Sequence, residues 1–343
     1  MAKDKENKKN EKSKKQNVGL KFLTVFLTVL IILVSLVLIG YNYILENFLS
    51  EIGYYELDRD NLGINKAAIK VEGVKTILLL GKDEGAFDEE NARSDVMILA
   101  SINTNLKTVK LISIPRDTQV DIPGEWTTKI NAAFNLGGPE LTLQTINSNF
   151  DLNVDDYIII DYAGVTKLVD AVGGIDLELV QGEIDFINVR MSETARHGKI
   201  KFGGIHLDAE PGIVHLNGIQ AVTHARNRST WIDEYNHDDF GRTNRQRNII
   251  MAVVKKAQSQ PVNKLMDVAK ELLGAVKTSL GKDKILGYIF EFGINAKNYT
   301  ENIKSYQNPS SETNTILYTN SKEEIIPDIE LTKELFNKYI NEE

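Results

Sequence analysis

Hydrophobic and polar positions change rhythm several times along this chain. Residues Met1 to Gln16 are almost entirely polar and rich in Lys, too poor in apolar side chains to build a core. From Phe22 to Leu45 the pattern reverses, with no charged residue in the span. That is enough helix to cross ~30 Å of hydrocarbon. The apolar run is longer than the core of a cleaved signal, and no A-x-A site follows it. Tyr41 and Tyr43 suit the far interface. The expected layout is a tail over 1–18, a transmembrane helix over 19–45 and a connecting segment over 46–73. Lys on the N-terminal side places that side in the cytoplasm and everything after Glu46 outside.

At Val74 short β-branched runs begin. Lys75 to Gly81, Asp95 to Ile102 and Thr108 to Pro115 have strand length, and the tight link from Asn103 to Leu106 makes the second and third a hairpin. Asn131 to Asn149 reads as a helix. Asp156 to Asp161 reads as a buried strand. Tyr162 to Val172 reads as a helix ended by Gly173 and Gly174. Ile175 to Leu179 alternates as a strand. Gln181 to Pro211 is polar and Gly-containing, and is expected to be a flap or insertion. Helices are expected over Leu216 to Ala225, Arg242 to Gln258, Asn263 to Val276 and Ile285 to Phe292, then a strand near Ile316 and a terminal helix from Leu331 to Ile340. The order of elements predicts an α/β fold, a mixed sheet with helices on its faces. The domain is expected over 74–256, with a helical extension of open role over 257–343.

Composition narrows the function. The chain has 343 residues, a net charge of −8 and no cysteine. Disulfides, zinc thiolate sites and a thiol nucleophile are excluded. The acidic balance argues against a nucleic-acid binder, because the basic clusters are short and local.

The chemistry concentrates between Thr223 and Arg247, where Arg226, Arg228, Arg242, Arg245 and Arg247 share one short span. Arg grips phosphate oxygens in pairs, which Lys cannot do. At 3.6 residues per turn, Arg242, Arg245, Gln246, Ile249 and Val253 fall on one face, with Ile250 at its margin. Two arginines on an inward stripe near the positive end of a helix dipole are in conflict unless an anion sits there. Arg247 lies well round the helix and is expected to be solvated. Two readings stand together here: an anion site, or arginines paired with Asp233, Glu234, Asp238 and Asp239.

Asp83 follows one strand and Asp95 opens the next; if those two strands are neighbours, both carboxylates can reach one sheet edge, while as turn former and cap they need no ligand at all. A hard cation such as Mg²⁺ takes one or two carboxylates and completes its shell with water and phosphate oxygens. Arg116 and Asp117 follow Pro115 where a buried strand ends, a common place for ligands in open sheets. Lys129, Asn131 and Asn135 lie near a helix start, where Asn131 either caps the helix or helps hold a phosphate. Together these groups suit a polyanionic ligand with a metal.

These residues stand in seven ordered blocks: LLLGKD, RSDVMIL, SIPRDT, KINAAFNLGG, VGGID, LNGIQAVTHARNRS and DFGRTNRQR. From Val74 to Lys256 the chain resembles the LytR-CpsA-Psr family of bacterial cell-envelope proteins. The resemblance implies an extracellular phosphotransferase domain behind one membrane helix, in a Gram-positive-type envelope. It implies an apolar pocket for a polyprenyl tail and transfer of an anionic glycopolymer, such as teichoic acid or capsule, from polyprenyl pyrophosphate to peptidoglycan. By position, Asp83 and Asp95 match the metal-site carboxylates for Mg²⁺, or Mn²⁺. Arg116, Arg226, Arg228 and Arg242 match the pyrophosphate-binding arginines, with Lys129 and Asn131 beside them. Asp239, Arg245 and Gln246 match the last block. Arg116, Asp239 and Arg242 are expected to carry the reaction, with Asp239 and Asp117 both open as the base. Two departures stand out: the long insert STWIDEYNHD, which could cover the site, and His224 where Tyr is common. A non-catalytic lipid-pyrophosphate binder with a regulatory role and a polyprenyl-pyrophosphate hydrolase are the alternative activities.

Overall fold

The computed structural model describes residues 52–64, 70–82, 94–233 and 237–341, together with Ser35. The Lys-rich tail, the expected membrane span (Ser35 apart) and Asp83 lie outside the described residues. Among those described, no helix is long and apolar enough to cross a membrane.

Strand β1 is Gly53–Tyr54, β2 is Val74–Lys82, β3 is Ser94–Asn103 and β4 is Thr108–Ser113. The last three form an antiparallel meander in which Ile98 faces Ser113 and Leu80 faces Met97. Alternation sorts their side chains. Leu78, Leu80, Met97, Leu99 and Ile112 enter one core, while Ile98, Ala100 and Leu111 enter another on the opposite face.

A small hairpin follows, β5 at Gln119–Asp121 and β6 at Thr127–Lys129. Helix α1, Ala132–Phe150, is broken near its start by Gly137, Gly138 and Pro139; Gly138 has φ +64°, which glycine takes without strain. Strand β7 (Tyr157–Asp161) lies parallel to β2. Asp161 then caps α2 (Tyr162–Ala171) by accepting the Gly164 N–H at 2.7 Å. Strand β8 (Ile175–Leu179) leads into α3 (Gln181–His197), and β9 (Gly212–Leu216) returns antiparallel to β8.

The expected flap over 181–211 is therefore corrected: its first half is a helix. Ile184, Ile187, Met191 and Ala195 recur at helical spacing and are buried. Glu183 accepts the Val180 N–H at 3.1 Å and so satisfies a donor at the helix start.

Helix α4 (Gly218–Ala225) opens on a capping box between Asn217 and Gln220. Helix α5 runs from Asp238 to Gln258, one turn earlier than its apolar pattern suggested, because Asp238 and Asp239 suit the first turn. With α2, α3 and α4 it encloses a second core that includes Val169, Ile187, Met191, Ile219, Ile249 and Val253.

The remainder is α6 (Val262–Ala275), β10 (Val276–Thr278), α7 (Lys282–Thr300), β11 (Ile303–Gln307), β12 (Ile316–Thr319), β13 (Ile325–Pro327) and α8 (Ile329–Asn341). The seven-stranded sheet has the order β1-β10-β7-β2-β3-β4-β11. The segment after Lys256, expected to be a helical extension, thus supplies strands on both flanks of the central sheet. Helix α8 also buries Phe336 against Phe150, with ring centroids 5.0 Å apart. The expected connecting segment likewise contributes β1 and the buried Leu62.

Candidate active site

The β3–β4 register places the first residues of β3 beside the chain leaving β4, where the Ile114 N–H donates to the Met97 carbonyl at 2.9 Å. Asp95 and Arg116 therefore meet: Arg116 Nη1 lies 2.5 Å from Asp95 Oδ2. The β5–β6 hairpin brings Lys129 Nζ to 2.9 Å from Asp117 Oδ1. From the opposite side, α5 presents Asp239 and Arg242 one turn apart, paired at 3.0 Å, and Arg242 Nη1 stands 3.6 Å from Asp95. Arg116 Nε is 3.5 Å from Asp117 and 3.6 Å from Asp239. Arg228 Nε is 2.9 Å from Asp239 Oδ1 but out of line for a hydrogen bond.

Four cations and three carboxylates thus share one sheet end. Burial works to lower the Arg116 pKa, but Asp95, Asp239 and Asp117 outweigh it, so the guanidinium is held above its ordinary value. Arg242 is pulled the other way: burial dominates over Asp239 and lowers it. Its side chain is only 7% exposed. The Nε–H groups of both Arg116 and Arg242 are buried and make no hydrogen bond. A buried donor without a partner costs about 1–3 kcal/mol. An oxyanion in the gap would satisfy both and would gain from the dry surroundings.

Other expected residues lie elsewhere. Arg226 turns to the end of α3, donating to Thr194 Oγ1 at 2.9 Å and lying over the Tyr162 ring. Arg245 is engaged with Glu183 at 2.6 Å and with the Asn227 and Thr230 carbonyls. Both partners of that ion pair are 3% exposed, so Arg245 ties α5 to α3. Gln246 Nε2 reaches the Ala225 carbonyl at 3.4 Å. Asn131 is buried beside the site, its N–H 3.3 Å from the Arg116 carbonyl and its side chain making no capping bond.

Arg247, expected in solvent, is a correction: it is 6% exposed and donates to Ser305 Oγ and Ser113 Oγ. It fastens α5 to β4 and β11. Its face is covered because β11 extends the sheet under α5, a strand the sequence reading lacked. Glu183 was also missed: it closes the helix start by accepting the Val180 N–H, but valine is not a capping residue and leaves no helix-start signal in the sequence. Among the described residues no three His, Asp or Glu side chains form a metal cage. A pocket of about 540 Å³ lies on a further side of α5, lined by Leu177, Leu179, Glu183, His224, Ile232 and Asn248 among others.

A mixed sheet flanked by helices, with Arg116 just past β4 facing Arg242 on α5 among three carboxylates, defines this α/β domain. The LytR_cpsA_psr family model matches residues 52–334. The chain belongs to that family. It is 34% identical over 254 residues to the polyisoprenyl-teichoic acid–peptidoglycan teichoic acid transferase TagU of Bacillus mycoides, covering 74% of each chain. Among solved structures it is similar to protein gbs0355 from Streptococcus agalactiae, with a TM-score of 0.60 and 26% identity, over 79% of this chain and 89% of that one. It shares the fold of TagT bound to LI-WTA, with a TM-score of 0.62 and 22% identity, over 84% of this chain and 98% of that one. The fold also matches YwtF (TagT) with bound octaprenyl pyrophosphate lipid, with a TM-score of 0.57 and 20% identity, over 84% and 99%.

Proposed function

We propose that this protein transfers an anionic glycopolymer from a polyprenyl-pyrophosphate carrier to a sugar hydroxyl of peptidoglycan. The observation that carries the reading is the pair of buried Nε–H donors on Arg116 and Arg242, which make no hydrogen bond beside three carboxylates. The names of the relatives supply the substrate class.

The acceptor oxygen attacks the phosphorus attached to the polymer sugar. The P–O bond to the carrier breaks, and polyprenyl phosphate leaves with the electron pair. Charge builds on phosphate oxygens, so fixed donors and position do most of the catalysis. Arg116 and Arg242 bind those oxygens, and Arg228 and Lys129 hold the outer phosphate. Asp239 Oδ1, buried and without a hydrogen bond, is the base that takes the hydroxyl proton. Mg²⁺ suits the hard oxygen donors here: Asp95 would hold it with Asp83, leaving other positions for water and phosphate. When bound, the ion supplies further charge neutralisation on the phosphates.

The apolar core shared by α2, α3, α4 and α5 is the part of the domain whose chemistry would suit the polyprenyl tail. We place the apolar span over 19–45 in the membrane, which would hold the domain outside the cell beside its lipid-linked substrate.

The test is incubation of the full-length protein in detergent with lipid-linked polymer, glycan strands and Mg²⁺. A phosphodiester-linked product is expected, lost on chelation. Arg242→Ala should cost about 2–4 kcal/mol of transition-state stabilisation, and Arg242→Lys should stay impaired because it loses the fork. Release of free polymer phosphate alone would make the protein a hydrolase. Full activity in Arg242→Ala would remove the site from this sheet end.

A further inference from the structure

An aromatic stack joins the chain after Arg228 to the start of α5. The Trp231 indole lies on the His237 imidazole with centroids 4.0 Å apart and planes 9° from parallel. Phe240 meets the imidazole edge-on at 6.3 Å. Asp238 Oδ2 holds the imidazole Nδ1 at 3.0 Å. One indole face is therefore backed, yet Trp231 remains 64% exposed.

Its base is fixed as well. The Thr230 carbonyl accepts Arg245 Nη2 at 3.0 Å, and the Thr230 hydroxyl donates to the Gly182 carbonyl at 3.1 Å. Asn227 Oδ1 accepts the N–H groups of Ser229 and Thr230. The buried Glu183–Arg245 pair thus anchors the backbone that presents the ring. A large ring held flat, backed and open on one side is already ordered for contact, so little entropy is lost on binding. Arg228 lies three residues before Trp231, and Asp239 two residues after His237, so the stack is tethered on both sides to members of the arginine cluster.

Charge selects the occupant. Asp233, Glu234 and Asp238 make this loop acidic in sequence. Negative charge opposes both an anionic membrane surface and the anionic donor polymer. An uncharged pyranose meets neither objection. Its axial C–H groups carry partial positive charge and face the electron-rich side of an indole, while carboxylates accept its hydroxyls.

We propose that Trp231, backed by His237, is the specificity platform for an uncharged sugar ring of the acceptor glycan. This rests on the transferase reading above and adds where the acceptor binds. Trp231 positions the acceptor and takes no part in bond making.

The chain has two tryptophans, so Trp126→Phe leaves Trp231 as the sole indole reporter. In the full-length protein in detergent, soluble oligomers of N-acetylglucosamine should shift its emission saturably. Unchanged emission overturns the proposal. So does an equal shift with anionic lipid vesicles alone, which would make the ring a membrane anchor. In transfer assays, Trp231→Ala should raise the acceptor KM about three- to tenfold with the donor KM unchanged. Trp231→Phe should recover most of the loss, and His237→Ala should reproduce part of it. A change in donor KM or in kcat alone would refute the assignment. If no transfer occurs in wild type but the oligomers still shift the emission, the transferase reading fails and sugar binding at Trp231 stands.

Discussion

His224 is 3% exposed and its Nδ1 has no partner. Burial lowers its pKa from 6.5 to about 4, with Glu183 acting in the opposite direction. The imidazole is therefore neutral in the native state when the unfolded chain would already carry a proton. Stability from this residue is complete above about pH 6.5 and falls as the pH drops toward 4, because the unfolded state binds more protons. The loss is on the order of 3 kcal/mol at most. Urea midpoints for wild type and His224→Phe should converge or cross between neutral pH and about pH 4.5, with wild type losing more. Parallel losses would show that His224 titrates alike in both states. Arg245 makes a related point. Helical phase correctly put it on an inward face, but phase alone does not say whether a ligand or a carboxylate waits there. Glu183 decides that, and it comes from a segment read as a flap.

At the scale of elements, the meander, β7, α2 and β8 were legible because each is a strong apolar run bounded by turn residues. The hairpin of the second and third expected strands was legible too, and its register brings Asp95 to Arg116. Strand β10 was not: three residues appended to an amphipathic helix leave no period to read. Strand β11, IKSYQ, is an edge strand whose polar positions hid it. Helix α3 was hidden by polar residues between its buried positions. Helix α8 was placed nearly correctly, but its role was not. Phe336 is fully buried against Phe150, so Phe336→Ala should cost about 3–5 kcal/mol in denaturant unfolding of the whole domain. A loss under about 1 kcal/mol would make α8 a loosely attached tail.

At the scale of the molecule, the Lys-flanked apolar span sets the proposed orientation. Protease added to intact protoplasts should digest the domain and spare the N-terminal tail; protection of the domain with loss of the tail would reverse the topology.

Timing follows from the two strands that the end of the chain adds to the central sheet. Ile303 pairs with Val109, and Val276 with Ile160. Loop-closure entropy must be met before such distant pairings are rewarded, which slows folding. During synthesis the rim of β4 therefore stays open until almost the whole chain has been delivered, and an open strand rim invites pairing with other chains. Nascent and truncated chains share that hazard, so the last third of the sequence also guards the first against aggregation.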